Sequence, residues 1–351
     1  MLYKRALSSL TAGALTLCCL ASDAHADDSA QSRTPQVPSA KTTRIALIGD
    51  VPYRDRDIVK FDEVIREINS ARLDFTLHTG DIKSGSSLCS DDLIRVRFDQ
   101  LAQLQRPLVY TPGDNEWTDC HRPAAGGFNP NERLAKVRSL FFPSPGTTLG
   151  KQRLRVRSQS SEAAYKEFVE NVRFVQNDVV FATVHVVGSN NGTALWAGIG
   201  ETAAAPVAER VEEVKRRSAA AVAWIDATFD EAEQRGASGV LIAMQANPAF
   251  EAPTGDPLRV GFEEIIAKLT ARTIKFARPV LVAHGDSHYQ RFDKPLLGPT
   301  PADGLQRLED FSRAENFGDL DVHWVELIVD ARSPEVFRLV PHIVESNRFA
   351  R

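Results

Sequence analysis

Glycine-flanked acidic residues recur along this chain at a spacing that could build a metal site. They occur in the runs Gly49-Asp50, Gly80-Asp81, Gly113-Asp114-Asn115-Glu116 and Gly285-Asp286-Ser287-His288. One such pair by itself usually indicates a turn, because glycine and aspartate both favour turn conformations. Several carboxylates gathered in one place would repel one another unless cations neutralised them. Oxygen ligands with one imidazole suit hard or borderline divalent ions such as Mg²⁺, Mn²⁺, Ca²⁺, Fe or Zn.

Each run follows an apolar segment that is typical of a buried β-strand. The predicted strands are Arg44–Ile48, Leu73–His78, Pro107–Tyr110, Val179–Val187, Gly239–Met244 and Pro279–Ala283. A further polar run, Gln245-Ala246-Asn247-Pro248, follows the fifth of them. Ligands of open α/β sheets bind outside the carboxyl ends of the strands. We therefore expect the acidic runs to meet at one edge of a sheet.

Amphipathic segments alternate with these strands, which predicts an α/β fold. The predicted helices are Asp57–Ala71, Asp91–Leu104, Ser160–Val172, Pro206–Gln234 and Arg259–Phe276, and Gly126–Leu149 is predicted to be a surface loop. Near the end of the chain, Val322–Val329 and Val336–Val340 are predicted to form an antiparallel strand pair. That pair indicates a second, more antiparallel sheet.

The first residues indicate export. Lys4 and Arg5 precede the apolar stretch Ala6–Leu20, and Asp23-Ala24-His25-Ala26 offers small residues for cleavage after Ala26. This is the pattern of a signal peptide over residues 1–26, so the protein is expected to be periplasmic or secreted. A membrane anchor is the weaker alternative, because the apolar stretch is too short to span a bilayer. Residues 27–43 are predicted to be a disordered leader and residues 44–351 a single domain.

Beyond the predicted signal peptide, the chain keeps two cysteines, Cys89 and Cys120. In an oxidising compartment such a pair predicts one disulfide, and two free thiols are the alternative. The net charge of −4 and the absence of a strongly basic stretch disfavour a nucleic-acid partner. No membrane span is expected after signal cleavage, and the sequence leaves the oligomeric state open.

The order of the strand-end runs resembles that of the calcineurin-like metallophosphoesterases, which include purple acid phosphatases and many bacterial phosphodiesterases. The resemblance extends from about Arg44 to about Pro341. It implies an α/β/β/α sandwich of two mixed sheets flanked by helices. It also implies that a metal-activated hydroxide cleaves a phosphomonoester or phosphodiester in a small phosphorylated substrate.

The resemblance assigns candidate metal ligands by position. Asp50, Asp81 and His288 would hold one ion, and Asp81 would bridge to a second ion bound by Asp114, Gln245 and Asp286. The family pattern has histidines at the positions of Pro52, Asn115, Gln245 and Asp286, and an asparagine at that of Asp114. Replacing imidazoles with oxygens favours Mn²⁺, Mg²⁺ or Ca²⁺ over Fe or Zn. In an alternative register, Asn115 is itself a ligand.

Asn115 occupies the position of the histidine that protonates the leaving group in the family. The residues proposed for catalysis are Asn115, His284 and His121, and those proposed for substrate contact are Glu116, Lys83 and Arg291. Because several family histidines are replaced, a degenerate member that binds a metal or phosphorylated ligand without turnover is the main alternative. A different metal-assisted hydrolase, of pyrophosphatase or sphingomyelinase type, is a third.

Overall fold

The structure of the protein, a computed structural model, describes residues 42–300 and 304–349. The predicted signal peptide and nearly all of the predicted leader lie outside the described residues. The strands are β1 (Thr43–Ile48), β2 (Phe75–His78), β3 (Leu108–Tyr110), β4 (Arg157–Ser158), β5 (Val172–Gln176), β6 (Val179–Thr183), β7 (Gly239–Ala243), β8 (Val280–His284), β9 (Arg291–Asp293), β10 (Leu297–Thr300), β11 (Gly304–Arg307), β12 (Phe311–Glu315), β13 (Trp324–Val329) and β14 (Phe337–His342). The helices are α1 (Asp55–Ser70), α2 (Asp91–Leu101), α3 (Pro130–Phe141), the four-residue turn α4 (Gly188–Asn191), α5 (Ala208–Arg235) and α6 (Glu263–Phe276). Short 3-10 turns lie at Thr118–His121, Pro123–Ala125, Gln159–Ser161, Ala163–Tyr165, Ala197–Ile199, Val260–Phe262 and Glu345–Asn347.

Within each sheet, the register brings the ends of the parallel strands side by side. The five-stranded sheet has the order β14-β13-β1-β2-β3, in which β1, β2 and β3 are parallel. Ile48 pairs with His78, and His78 pairs with Tyr110, so these three strands end at one level. The seven-stranded sheet has the order β4-β5-β6-β7-β8-β12-β9, with β6, β7, β8 and β12 parallel. The strands β10 and β11 form a separate antiparallel hairpin.

Three apolar layers hold the sheets and helices together. The layer between the sheets includes Ile45, Leu47, Phe75, Leu77, Phe181, Leu241, Leu281, Val325 and Leu327. A second layer joins the five-stranded sheet to α1, α2 and α3, and a third joins the seven-stranded sheet to α5 and α6. The fold is therefore an α/β/β/α sandwich of two mixed sheets, as the sequence and its resemblance predict. Among the described residues, no helix combines the length and the apolarity needed to cross a membrane.

Helix α1 shows how the sequence produces this layering. Its first turn carries Asp55 and Asp57, whose charges complement the positive end of the helix dipole. One face buries Phe61, Val64 and Ile68 against the five-stranded sheet. The chain thus leaves β1, turns at the strand end and returns over the outer face of the sheet.

The segment predicted as a helix over Ser160–Val172 is not helical in the structure. Two 3-10 turns replace it, and Val172 begins strand β5. Serine side chains bond to nearby backbone here, since Ser158 Oγ accepts from the Ser160 N–H and Ser161 Oγ donates to the Ser158 carbonyl. Such local bonds compete with helix formation.

The predicted loop Gly126–Leu149 contains helix α3. Its start carries recognisable signals, because Pro130 occupies the first turn and the Asn129 side chain caps the N–H groups of Asn131 and Glu132. The segment was misassigned on its content of glycine, proline and serine.

Candidate metal centre

The ends of β1, β2, β3 and β8 place a cluster of carboxylates at the shared edge of the two sheets. One oxygen from each of Asp81, Asp114 and Asp286 lies within 4.8 Å of the others. Asp50 adjoins them, because its Oδ1 accepts a hydrogen bond from the Asp286 backbone N–H at 3.0 Å. The Nε2 of His288 lies 3.8 Å from the same Asp50 oxygen. The structure therefore brings the acidic strand-end residues together, as the sequence predicts.

The backbone is strained where it presents these side chains. Asp50, Asp81, Asp286 and His288 have φ angles of 58°, 57°, 77° and 59°. Residues other than glycine seldom adopt this left-handed conformation, which costs roughly 1–3 kcal/mol per residue and concentrates at functional sites. Four such residues around one cluster indicate that the fold holds the side chains in position at the expense of stability.

The glycines beside the acids are needed for packing. A Cβ atom at Gly113 would lie 2.0 Å from Asp81 Oδ1, and one at Gly285 would lie 2.1 Å from Asp50 Oδ2. Both distances are far below van der Waals contact. The carboxylates of Asp81 and Asp50 thus lie directly against the backbone of Gly113 and Gly285. Neither position has room for a side chain, which explains why both are glycine.

Burial makes the charged form of these carboxylates costly. It raises the pKa of the Asp50 and Asp81 carboxyls well above their usual range, and the charges of Asp114 and Glu116 raise that of Asp81 further. Burial, together with the charge of Asp114, raises the pKa of Asp286 to about 7. A divalent cation would remove this penalty, and carboxylate oxygens are the ligands that Mg²⁺, Mn²⁺ and Ca²⁺ prefer. The residues present therefore fit a divalent cation.

An open cavity of about 330 Å³ lies beside the cluster. Its lining is formed by Tyr53, Asp81, Gly85, Ser86, Asp114, Asn115, Arg122, Asp286 and His288. A larger groove, of about 1010 Å³, lies along β4, β5 and α5 and is lined by none of the cluster residues. The cavity therefore joins the carboxylates of the cluster to solvent.

Residues 43–216 match the sequence model of a family described as calcineurin-like phosphoesterase. The chain belongs to the calcineurin-like phosphoesterase family. The matched segment contains Asp50, Asp81 and Asp114, whereas Gln245, Asp286 and His288 lie beyond it. No curated protein matches the chain.

Among solved structures, the chain is similar to purple acid phosphatase PPD1 from seeds of yellow lupin (Lupinus luteus). The identity is 10% and the TM-score 0.42, and the match covers 86% of this chain and 53% of the lupin chain. The chain thus spans about half the length of that phosphatase.

In this phosphoesterase-family chain, Gln245 lies within the carboxylate cluster. Its side-chain amino group, and not its amide oxygen, faces the carboxylates. Its Nε2 faces three carboxylates, with Asp81 Oδ2 at 3.2 Å, Asp114 Oδ1 at 3.2 Å and Asp286 Oδ1 at 3.3 Å, and its two N–H groups are shared among them. Its Oε1 accepts from the Gly188 backbone N–H at 2.6 Å. The oxygen that a cation would need is therefore already bonded to the backbone. In this arrangement Gln245 is a hydrogen-bond donor to the predicted ligands.

Tyr53 is a cavity residue that the sequence analysis missed. Its hydroxyl donates to Asp81 Oδ2 at 3.0 Å, accepts from Asn115 Nδ2 at 2.8 Å and lies 3.3 Å from His288 Nε2. Asn115, one of the residues predicted for catalysis, also donates to Asp81 Oδ2 at 2.9 Å and lines the cavity. The sequence signal that could have indicated Tyr53 as a site residue was its position, three residues after Asp50.

Three further residues support or border the cluster. Asn316 Nδ2 donates to Asp50 Oδ2 at 2.7 Å, and Ser189 Oγ donates to Asp114 Oδ2 at 2.8 Å. Arg122 lines the cavity and pairs with Asp119 Oδ2 at 2.7 Å. Ser189 lies just after the predicted strand Val179–Val187, and Arg122 lies two residues after Cys120 of the predicted disulfide, so the sequence offered a weak signal for each. Nothing in the sequence pointed to Asn316.

Glu116 and Lys83, predicted to contact substrate, have supporting positions instead. Glu116 is fully buried and accepts from the Tyr110 hydroxyl and the Gly113 N–H, each at 2.6 Å. Lys83 is also buried, and its Nζ donates to two carbonyls of its own loop, those of Ser84 and Ser87. Neither lines the cavity. Both stabilise the loops that carry the carboxylates.

Three other predicted residues also lie outside the cavity lining. His284 is fully buried, its Nδ1 bonds to the Gly285 carbonyl, and burial lowers its pKa to about 3, so it is poorly suited to supply a proton. His121 Nδ1 accepts from the Gly198 N–H, and Arg291 Nε donates to Glu315 Oε2 at 2.6 Å. Local partners thus occupy these side chains.

The predicted disulfide between Cys89 and Cys120 is present, with a Cα–Cα distance of 5.7 Å. Both cysteines are fully buried. The bridge joins the loop after β2 to the loop after β3, and so links the segments that carry Asp81 and Asp114.

Proposed function

We propose that this protein is an exported, metal-dependent phosphoesterase that hydrolyses a small phosphorylated substrate. The observation that supports this most strongly is the meeting of Asp81, Asp114 and Asp286 within 4.8 Å at the edge of an open cavity. Buried carboxylates at such spacing are costly without a cation. Membership of the calcineurin-like phosphoesterase family adds the reaction class.

The cation would be held by the carboxylates of Asp50, Asp81, Asp114 and Asp286, with His288 as a nitrogen donor. When bound, it would supply Lewis-acid activation of water and would neutralise charge on the phosphoryl group. An oxygen-rich set of this kind favours Mn²⁺, Mg²⁺ or Ca²⁺.

The chain's own residues would position the ligands and the substrate. Tyr53 and Asn115 both donate to Asp81 Oδ2 and so fix the carboxylate between them. Asn115 has no titratable proton for a leaving group, and proton transfer of that kind contributes roughly 10²- to 10⁴-fold to rate. We therefore propose that substrates with good leaving groups, which need little protonation, react fastest.

Export is supported by the sequence of residues 1–26 and by the disulfide. Structural disulfides persist in oxidising compartments and are rare in the bacterial cytosol. The bridge between Cys89 and Cys120 is consistent with a periplasmic or secreted protein.

A second candidate function is binding of a metal or phosphorylated ligand without turnover. The orientation of Gln245 favours it, because an amino group facing three carboxylates takes the place of some of the positive charge that a second cation would bring.

Hydrolysis assays on the exported protein separate these functions. After chelation and reloading with Mn²⁺, we expect turnover of p-nitrophenyl phosphate or its bis ester that Asp81→Asn reduces at least roughly 100-fold, because the cation is lost. Asp99→Asn, at an exposed helix position paired with Arg95, is the matched control. Stoichiometric metal without turnover of either ester would instead support the binding function.

A further inference from the structure

We infer that Arg122 binds terminal phosphoryl oxygens of the substrate and makes the site selective for phosphomonoesters over phosphodiesters. This inference rests on the proposed function, since it assigns the substrate class of the same cavity. Of the described residues that line the cavity, Arg122 alone carries a permanent positive charge. The basic residues singled out from sequence, Lys83 and Arg291, lie outside that lining.

The Arg122 side chain is accessible and yet held in place. It is 46% exposed, and its Nη1 pairs with Asp119 Oδ2 at 2.7 Å. Ser189 Oγ lies 2.8 Å from the other oxygen of Asp119 and 2.8 Å from Asp114 Oδ2, so this hydroxyl connects the two carboxyl groups. A short chain of polar contacts thus fixes the guanidinium relative to a predicted metal ligand.

Gly85 provides the space for this arrangement. A Cβ atom there would lie 2.6 Å from Arg122 Nη1 and 2.6 Å from Asn115 Oδ1. The guanidinium therefore lies against the backbone at Gly85 and close to Asn115, inside the cavity. The disulfide at Cys120, two residues before Arg122, anchors the segment that carries it.

The chemistry of the guanidinium indicates which ester it would select. Arginine has five N–H donors in a planar fork, so pairing with Asp119 leaves donors for a substrate. A phosphomonoester has three terminal oxygens, whereas a phosphodiester has two. If two terminal oxygens faced a cation held by the carboxylates, only the monoester would keep a further terminal oxygen for Arg122. The third contact is charge-assisted and therefore strong.

Binding of inorganic phosphate tests the contact without turnover. In calorimetric titrations of Mn²⁺-loaded protein, we expect Arg122→Ala to weaken phosphate binding roughly 10- to 100-fold. Arg122→Lys, which keeps the charge but loses the fork, should give an intermediate loss. Arg95→Ala is the matched control, because Arg95 is 59% exposed and pairs with Asp99, four residues away, on the surface of α2. Equal phosphate affinity in wild type and Arg122→Ala would overturn the assignment.

Relative activity tests the selectivity. We expect wild type to prefer p-nitrophenyl phosphate to its bis ester in kcat/KM, and Arg122→Ala to lower that ratio at least roughly tenfold. An equal fall for both esters, or a wild-type preference for the diester, would overturn the monoester inference while leaving the phosphoesterase proposal intact. If metal-loaded wild type cleaves neither ester, the proposed function fails, and the phosphate titration still decides whether Arg122 is a phosphate-binding residue.

Discussion

The side-chain oxygen of Gln245 accepts a hydrogen bond from the backbone N–H of Gly188 at 2.6 Å. That bond turns the amino group of Gln245 towards three carboxylates that would otherwise face one another. A Cβ atom at Gly188 would lie 2.7 Å from Asp114 Oδ2 and 2.8 Å from Asp286 Oδ1, so the strand-end loop lies directly against the cluster. The glutamine therefore places an uncharged amide between the carboxylates, at a position where the family pattern has imidazole.

Gln245→Glu isolates the role of the amino group, because glutamate has the same shape and can still accept from Gly188. The change removes the two N–H donors that face the carboxylates and adds a negative charge. We expect the chelated variant to lose roughly 1–3 kcal/mol of unfolding free energy and to bind Mn²⁺ more tightly than wild type. Urea unfolding with chelator and calorimetric titration with Mn²⁺ measure the two effects. Unchanged stability and metal affinity would show that the amide is not coupled to the cluster.

Gln245→His restores the family residue at this position. If the position contacts a cation, elemental analysis should show a shift in bound metal towards zinc or iron, since imidazole favours these ions. A metal content identical to that of wild type would contradict a ligand position here. It would then leave Gln245 as a purely supporting residue.

The sequence predicted the cluster because its basis is local. Each acid follows an apolar strand, and parallel strands bring their ends to one edge, so Asp50, Asp81, Asp114 and Asp286 meet as expected. The direction of individual side chains was harder to predict. Whether Gln245 offers oxygen or nitrogen depends on Gly188, which is distant in the chain and reaches it only through the fold.

Side-chain direction and charged strands were likewise beyond what the sequence could predict. Lys83 and Glu116 lie next to ligand residues in sequence, but their side chains turn to loop carbonyls and N–H groups. Strand β12 was missed because its sequence includes Arg313 and Glu315, which are buried through pairing with Asp293 and Arg291. Hydrophobic periodicity cannot reveal a strand whose buried residues are charged and paired.

Removing the disulfide should loosen the cavity. The bridge joins Cys89 and Cys120, which are 31 positions apart in the sequence. We expect Cys89→Ser with Cys120→Ser to cost roughly 2–4 kcal/mol of unfolding free energy and to lower phosphoester turnover, because the loops carrying Asp81 and Asp114 are no longer joined. Denaturant midpoints and kcat measure both effects. Retention of wild-type stability and turnover would contradict a role for the bridge in holding the site.

The buried carboxylate of Glu170 should give a specific acid dependence of stability. Burial opposes its ionisation, but the charge of Arg138 and the hydrogen bond from His185 outweigh burial and lower its pKa from 4.5 to about 2. Because the folded-state pKa lies below the unfolded-state value, the group stabilises the fold above about pH 4.5 and loses this contribution as pH falls towards 2.

Glu170→Gln tests this dependence. We expect the variant to be roughly 3–5 kcal/mol less stable than wild type near neutral pH, and the difference to shrink as the pH is lowered towards 3. Glu167→Gln, at an exposed ion pair with Arg216, should show little difference at any pH. A difference in unfolding free energy between wild type and Glu170→Gln that stays constant from about pH 6 to about pH 3 would rule out the lowered pKa of Glu170.

Titration of chelated protein with Mn²⁺, followed by calorimetry and thermal unfolding, tests most directly whether the carboxylate cluster is a metal centre. We predict that at least one ion binds per chain, that the melting temperature rises with ion concentration, and that Asp81→Asn loses both effects while Asp99→Asn keeps them. Protein that binds no Mn²⁺, Mg²⁺ or Ca²⁺ at millimolar concentration, with an unchanged melting curve, would contradict a metal centre at Asp81, Asp114 and Asp286.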